Sequence, residues 1–405
     1  MQNQFAQSHC VTPNLETALS QTTAAINQQF AELDPDNANP NVDLVFAFAA
    51  GHEPAAFDEV MRSLQTRTNA KIVLGCTCET AIGGAFEFES EPVLTVWAAK
   101  LPAADLVPMQ LSFARSAGES AIVGWPDETD GPWPEDSTIL LLGDPFSFPV
   151  DVLLERMNED RPGVRLAGGM ASGAQTPGQC RLLLNDQTFA EGLVAVRISG
   201  ANIRTLVSQG CRPIGEPMVI TKSERNIIET LGGKPSLDVV HDLFRTLPTR
   251  EQAVVQNGLH VGRVINEYQD KFEFGDFLIR NMVGVDKKTR SISIGDYVRT
   301  GQTVQFHIRD DESASAELQQ MVTAATKTQP YRGGLIFTCN GRGMNLFPDP
   351  HHDSSVVANH GRKASNEDQT TDTVALAGFF AAGEIGPVGN KNFLHGFTAS
   401  VVLFD

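Results

Sequence analysis

Two charged residues near the carboxyl end of the chain each follow an apolar run of strand-like composition. Arg342 lies in Cys339-Asn340-Gly341-Arg342-Gly343, and Glu384 lies six residues beyond Gly378. If the two runs form neighbouring strands, both side chains leave the sheet at one edge. Because a guanidinium binds a carboxylate through two parallel hydrogen bonds, we predict that Arg342 holds the carboxylate of a zwitterionic ligand and that Glu384 holds its ammonium. A structural ion pair between the two side chains is the alternative.

Three residues of the same region could instead support covalent catalysis. Cys339 would be the nucleophile, His395 the base and Glu384 the orienting acid. Their spacing matches no motif, and a free cysteine commonly packs as a small apolar side chain. We therefore predict a binding protein without a catalytic residue, and keep a cysteine-dependent hydrolase or transferase as the alternative.

The cysteine and histidine clusters do not have metal-binding spacings. Cys76 and Cys78 are separated by one residue, whereas zinc and redox sites use C-x-x-C. His351-His352-Asp353 and His360 follow a proline-containing loop and lack the order H-E-x-x-H. We therefore expect neither a metal nor a cofactor. A structural role and a redox-sensing role both remain open for Cys76 and Cys78.

A glycine-containing segment recurs after three apolar runs. Residues 75–83 and 378–386 share the spacing Gly-x6-Ile-Gly, and residues 168–173 form a looser copy. Glycine allows a close approach of the backbone to a ligand, although it also serves tight corners. None of the copies has the spacing of a nucleotide-binding loop. We predict a pseudo-symmetric cleft, and its binding residues are Cys76, Thr77, Gly169, Cys339, Asn340, Arg342, Gly383, Glu384 and His395.

The elements that must position these residues alternate between strands and helices. A strand–helix–strand pattern occurs at 42–74 and at 139–167, and at 335–380 two strands recur with a loop that carries His351 to His360 between them. Stretches of period-two alternation lie between these segments. This order predicts an α/β (α+β) fold in which two related domains have mixed β-sheets flanked by helices. A change of pattern near Ser223 predicts a helical extension over 1–28, an N-terminal domain over 29–222 and a C-terminal domain over 223–405. The ligand would lie between the two domains.

Composition excludes several classes of partner. The 405 residues include 31 basic and 49 acidic side chains, a formal net charge of −18, which repels nucleic acid and anionic membranes. No apolar run approaches the ~18–20 residues of a transmembrane helix, and the polar N-terminus is unlike a signal peptide. The six cysteines are too sparse for a disulfide framework. We expect a cytoplasmic protein.

The chain resembles the FIST family, named for F-box and intracellular signal transduction proteins, in both its N-terminal and its C-terminal domains. The segments that carry the resemblance are 75–78, 168–169, 208–215, 231–235, 276–280, 339–343, 378–386 and 395–398. The resemblance runs from about residue 30 to the C-terminus, and it depends on the number and order of these segments rather than on any single one.

The resemblance implies a sensory module that binds a small molecule such as an amino acid or a derivative. Family members are often fused to signalling domains or to an F-box, and residues 1–28 are too short for an F-box. We therefore expect the signal to pass to an unidentified partner protein. A protein-interaction scaffold, like the F-box relatives, is a further alternative.

Overall fold

The chain folds into two compact units, neither of which is one of the predicted domains. The computed structural model describes residues 2–34, 41–116, 119–269, 272, 275–362 and 374–405. One unit joins Met1–Val207 to Leu318–Asp405, and the other is Ser208–Glu317. The second unit is thus inserted into the sequence of the first.

The first unit opens with two series of strands and helices. The first series is β1 (Gln4–Val11), α1 (Leu15–Leu33), β2 (Val42–Ala50), α2 (Pro54–Val60), α3 (Leu64–Thr68), β3 (Ala70–Cys78), β4 (Ala81–Gly83), β5 (Phe86–Phe88) and β6 (Val93–Lys100). The second is β7 (Asp105–Ser116), β8 (Glu119–Val123), β9 (Thr138–Gly143), α4 (Val150–Asp160), β10 (Arg165–Met170), β11 (Leu182–Leu184), β12 (Gln187–Phe189) and β13 (Leu193–Ser199).

A third series is interrupted by the second unit. It begins with β14 (Ile203–Ser208). The second unit contains β15 (Arg212–Glu224), β16 (Ile227–Leu231), β17 (Lys234–Pro235), α5 (Ser236–Thr246), α6 (Thr249–Asn257), β18 (His260–Val264), β19 (Phe277–Asp286), β20 (Ser291–Ile294) and β21 (Thr303–Ile308). The third series then resumes with α7 (Asp311–Thr328), β22 (Gly333–Cys339), α8 (His352–Arg362), β23 (Ala375–Ala381), β24 (Glu384–Val388), β25 (Lys391–His395) and β26 (Ala399–Phe404).

The three series form three sheets of the same design in the first unit. Each sheet is built on a parallel pair, which is β2 with β3, β9 with β10, or β22 with β23. Beside the first strand of each pair lies an antiparallel strand of the same series, namely β6, β13 or β26. Each series also contains a two-stranded hairpin, which is β4–β5, β11–β12 or β24–β25. The first strand of each hairpin pairs with a strand of another series: β4 with β23, β11 with β3 and β24 with β10. The unit therefore has pseudo-threefold organisation, and exchanged hairpins connect its sheets.

This organisation explains why the glycine segment recurs. One glycine in each copy faces a carbonyl oxygen of the neighbouring parallel strand. An added Cβ atom would lie 2.7, 1.9 or 1.8 Å from that oxygen at Gly75, Gly168 and Gly378 respectively. No side chain fits at such distances, so these three glycines serve the packing of the strands.

The predicted N-terminal extension is part of the first sheet. Strand β1 pairs with β6 along its whole length, and α1 begins at the cap Asn14, whose side chain accepts the backbone N–H of Thr17 at 2.8 Å. Leu19, Ile26 and Phe30 of α1 are buried in the same core as the apolar residues of β2. The amphipathic face of this helix thus covers the sheet.

The second unit is a closed antiparallel barrel. Its strands follow the order β15-β21-β18-β19-β20-β16, and β15 closes the circle because it pairs with both β21 and β16. The predicted boundary at Ser223 lies inside β15, a strand that this closure requires. The α+β class with mixed sheets and flanking helices is confirmed, whereas the compact units divide the chain at different positions from those predicted.

Candidate functional site

The carboxyl ends of the parallel strands meet within the first unit, as the glycine segments suggested. Ser172, which follows β10, accepts the backbone N–H of Glu79 at 3.0 Å and donates to the carbonyl of Phe380. The side-chain amide of Asn340, which follows β22, donates to Glu79 at 3.0 Å. The segments that follow β3, β10, β22 and β23 are therefore neighbours. They all belong to one compact unit, and they come from both the predicted N-terminal domain and the predicted C-terminal domain.

Several predicted ligand-binding residues have partners within the protein instead. Cys76 is buried, and burial raises the pKa of its thiol well above the ordinary value. Thr77 accepts the backbone N–H of Arg181 at 3.0 Å. A Cβ atom on Gly169 would lie 2.8 Å from the Cβ of Ala381, and the carbonyl of Gly383 accepts the N–H of Met170 at 2.9 Å. All four residues thus make contacts within the protein.

Arg342 is not available to a ligand carboxylate, which corrects the predicted clamp. Its guanidinium is fully buried and binds Asp353 through two hydrogen bonds of 2.6 and 2.8 Å. Thr338 adds a third donor to Asp353 at 2.8 Å. Burial alone would raise the pKa of Asp353, but the Arg342 guanidinium holds that pKa well below its ordinary value. The ion pair is a structural element of the first unit.

Glu384 and His395 face each other on β24 and β25, and both have interactions within the protein. One carboxylate oxygen of Glu384 accepts the backbone N–H of Thr398 at 3.0 Å and its hydroxyl at 2.9 Å. His395 Nε2 lies 3.0 Å from the carbonyl oxygen of Gly386, to which it can only donate. Glu384 is fully buried. With the proton on Nε2, Nδ1 of His395 is the ring nitrogen that could accept a proton.

Glu87 joins the buried charges around Arg342, although its sequence context carries no signal. Its Oε1 accepts the backbone N–H of Ser354 in the first turn of α8 at 2.9 Å. Burial, followed by the repulsion of Asp353, raises the pKa of Glu87 to about 7. His352 also contacts Asp353, with 3.0 Å between Nδ1 and Oδ1. The histidine-rich segment thus packs around the Arg342–Asp353 pair, and the described residues contain no group of three or more ligands suited to a metal.

The second unit contains a small pocket that no predicted residue lines. Its cavity volume is about 10 Å³, and the cavity is partly open to solvent. A buried water molecule needs roughly 10–15 Å³ on this measure, so the pocket has room for about one water-sized polar group and not for a whole ligand. The residues that line it are Gln209, Cys211, Pro213, Gly275, Phe277, Ile279, His307 and Glu317.

The polar residues of this pocket are held in place by the barrel and by the start of α7. Glu317 accepts the hydroxyl of Ser208 at 3.0 Å and the backbone N–H of Gly210 at 2.6 Å. Gln209, between these two residues, is 3% exposed, and its Nε2 has no hydrogen-bond partner among the described residues. A buried amide that makes no hydrogen bond is unfavourable, so this group is suited to a ligand acceptor.

His307 supplies a neutral imidazole to the same pocket. Burial lowers its pKa to about 4, so the ring is uncharged at pH 7. Its Nδ1 lies 3.0 Å from the carbonyl oxygen of Gln305 and donates to it, which leaves Nε2 as an acceptor. Gly262 makes room for the ring, because an added Cβ would lie 2.4 Å from Cε1 of His307.

Comparison with known proteins identifies the family. A model of the FIST N domain matches residues 43–234, and a model of the FIST C domain matches residues 236–387. FIST domains are sensory domains of signal transduction, and this chain belongs to the FIST family. Residues of the pocket fall within both matched regions.

Full-length relatives occur in mycobacteria. An uncharacterized protein of Mycobacterium tuberculosis is 37% identical over 394 residues, which are 97% of this chain and 97% of the relative. An uncharacterized protein of Mycobacterium bovis is 36% identical over 397 residues, which are 98% of this chain and 97% of the relative. Across the described parts of the chain, no helix is both long enough and apolar enough to cross a membrane.

Proposed function

We propose that this protein is a sensor that binds a small molecule, an amino acid derivative or a related compound, in the pocket of its second unit. The observation that carries the proposal is Gln209 Nε2, a buried donor that makes no hydrogen bond among the described residues and belongs to a residue that lines the pocket with Glu317 and His307. An unmade hydrogen bond of this kind costs about 1–3 kcal/mol. A ligand acceptor that reached Gln209 would recover that free energy.

The sensory role also requires an output. A ligand shifts a conformational equilibrium only when it binds one state more tightly than the other. We propose that the ligand-bound state is recognised by a partner protein. The six cysteines are all free thiols, and the acidic charge disfavours nucleic acid, which together support a cytoplasmic location.

A thermal-shift screen of the full chain against amino acids, their amides, amines, organic acids and nucleotides tests the proposal. A compound at about 100 times its Kd adds roughly 2.7 kcal/mol to the free energy of unfolding. We expect the shift to disappear in Gln209→Leu. It should persist in Gln256→Leu, which makes the same chemical change at an exposed position of the same unit.

Two outcomes would overturn the proposal. One is that no compound of any class shifts the unfolding temperature. The other is that a compound stabilises Gln209→Leu as much as it stabilises the unmodified protein, which would place its binding elsewhere.

A further inference from the structure

We infer that the contact between strand β5 and the first turn of α8 is a pH-sensitive switch, which is closed when Glu87 is protonated and opens when Glu87 is ionised. This contact, the β5–α8 junction, is formed by residues 85–89 and 351–355. Both segments belong to the first unit, so the inference is independent of the ligand pocket and of the proposed function. The switch gives the protein a response to pH in addition to its response to a ligand.

The first step concerns the hydrogen bonds that hold the junction together. The Oε1 atom of Glu87 accepts the backbone N–H of Ser354 at 2.9 Å, and the backbone N–H of Glu87 donates to Nδ1 of His351 at 3.0 Å. The hydroxyl of Ser355 donates to the carbonyl oxygen of Ala85 at 3.3 Å. Glu87 thus contacts α8 and the residue before it through both its side chain and its backbone.

The second step concerns the buried carboxyl group of Glu87. The residue is 3% exposed, and its Oε2 atom makes no hydrogen bond to any residue that the structure describes. A buried carboxylate is unfavourable unless hydrogen bonds or a cation stabilise both of its oxygens. A proton on Oε2 removes the charge, so the closed junction favours the protonated form.

The third step concerns the neighbouring negative charge of Asp353. Against the effect of burial, the guanidinium of Arg342 holds the pKa of Asp353 well below its ordinary value, so Asp353 stays ionised near neutral pH. Burial, followed by the repulsion of Asp353, raises the pKa of Glu87 to about 7, although the N–H of Ser354 acts in the opposite direction. An ionised Glu87 is therefore a second buried carboxylate next to Asp353, and hydration of the open junction relieves this repulsion.

The other charged and titratable groups at the junction come from several elements. Glu89, which follows β5, also raises the pKa of Glu87 through its charge. His352 contacts Asp353, with 3.0 Å between Nδ1 and Oδ1, and His351 accepts the backbone N–H of Glu87. The groups around Glu87 are thus Glu89, Arg342, His351, His352 and Asp353. The variants described below separate the response of Glu87 from any response of the two histidines.

The direction and size of the response follow from the pKa of Glu87 in the two states. In the open junction its carboxyl group is hydrated, and its pKa returns from about 7 to the ordinary value of 4.5. The closed junction thus holds a proton that the open junction has lost, so it is most stable at low pH and opens as the pH rises through about 7. The equilibrium constant for opening should increase about ten-fold between pH 6 and pH 8.

Hydrogen–deuterium exchange of the full chain at pH 6 and pH 8, without a ligand, tests the inference. Dividing each exchange rate by the intrinsic rate at the same pH gives protection factors that can be compared between the two conditions. We expect the protection factors of residues 85–89 and 352–356 to fall about ten-fold from pH 6 to pH 8. Those of residues 44–49, in the buried strand β2, should be higher than these at both pH values.

Two variants assign the response to Glu87. Glu87→Gln resembles the protonated form, so its junction should keep the same protection factors at both pH values. Glu155→Gln makes the same chemical change at an exposed residue of α4, and its junction should lose protection as in the unmodified protein. Because both histidines are unchanged in these variants, a titration of His351 or His352 would persist in Glu87→Gln.

Three results would overturn the inference. One is equal protection of the junction at pH 6 and pH 8 in the unmodified protein. A second is a loss of protection that persists in Glu87→Gln, because another group would then control the junction. A third is that the junction and residues 44–49 have equal protection factors, because the protein would then unfold as a whole. None of these results bears on ligand binding, which the thermal-shift screen tests separately.

Discussion

Two buried polar clusters in this protein differ in whether their most buried donor is paired within the fold. Around Arg342 in the first unit, the guanidinium and Asp353 form a two-hydrogen-bond ion pair, and Thr338 supplies another donor. In the pocket of the second unit, Gln209 Nε2 has no partner among the described residues. Strong charge at a strand end is therefore not by itself a sign of ligand binding, because a charge that must be buried is normally paired within the fold.

The largest expected effect concerns Arg342. Arg342→Met leaves Asp353 buried without its cation, which should reduce the free energy of unfolding by about 3–5 kcal/mol. Urea titration followed by tryptophan fluorescence measures this in the relevant unit, because Trp97, Trp125 and Trp133 all lie in the first unit.

The matched control for this prediction removes both charges. Arg342→Met combined with Asp353→Leu should regain much of the lost stability, since no unpaired charge remains. The comparison would break if Arg342→Met unfolded at the same urea concentration as the unmodified protein and lost ligand binding, because Arg342 would then be a ligand residue.

The next effect is the pH dependence caused by Glu87. Its pKa is raised from 4.5 to about 7, so between these pH values the folded state holds a proton that the unfolded chain has lost. This group therefore favours folding most at low pH, and the contribution falls by roughly 3 kcal/mol as the pH rises through that range. Glu87→Gln, which resembles the protonated form, should be more stable than the unmodified protein at pH 8 and about equal at pH 4.5.

Urea titrations at the two pH values check this prediction, with Glu155→Gln on the exposed face of α4 as the control. Asp353 acts in the opposite direction, since its lowered pKa makes its contribution disappear as the pH falls. An equal difference between Glu87→Gln and the unmodified protein at both pH values would contradict the assignment.

The smallest expected change in the free energy of unfolding comes from substituting the strand glycines, and it tests whether they serve strand packing or ligand binding. Gly378→Ala places a methyl group 1.8 Å from the carbonyl oxygen of Ile336, and Gly75→Ala places one 2.7 Å from that of Ala47. We expect losses of about 1–3 kcal/mol, larger at Gly378, with unchanged ligand affinity. Gly396→Ala, where the added atom meets nothing within 4 Å, is the control. If ligand affinity fell while the free energy of unfolding stayed the same, these glycines would instead line a ligand cleft.

Sequence reasoning found the parts of this fold that depend on local pattern. The three pairs of strands and the recurrence around Gly75, Gly168 and Gly378 are predictable, because buried parallel strands are continuous apolar runs. The helix His352–Arg362, which the sequence pattern assigns to a loop, is not. The exchange of hairpins was not visible, since strand pairing between distant segments leaves no local pattern. The insertion of the second unit was hidden for the same reason, because Ile203–Ser208 and Ala399–Phe404 are neighbours only in the sheet.

The candidate site was harder to predict than the fold. The charges of Arg342 and Glu384 indicate a ligand site. Nothing in the sequence shows that Asp353 binds Arg342 and that Thr398 binds Glu384. The pocket residues are mostly uncharged and follow no catalytic motif. The sequence signal that points to His307 is the alternation in β21, which places Gln305 and His307 on the face opposite Val304 and Phe306.

Hydrogen–deuterium exchange of the full chain, with and without a saturating concentration of a compound that stabilises the unmodified protein in the thermal-shift screen, shows where the ligand binds. We predict that the ligand slows amide exchange at residues 208–213 and 303–308 of the second unit. Slower exchange confined to residues 339–343 and 378–386 of the first unit would contradict the account, because the site would then lie at the strand ends around Arg342 and Glu384.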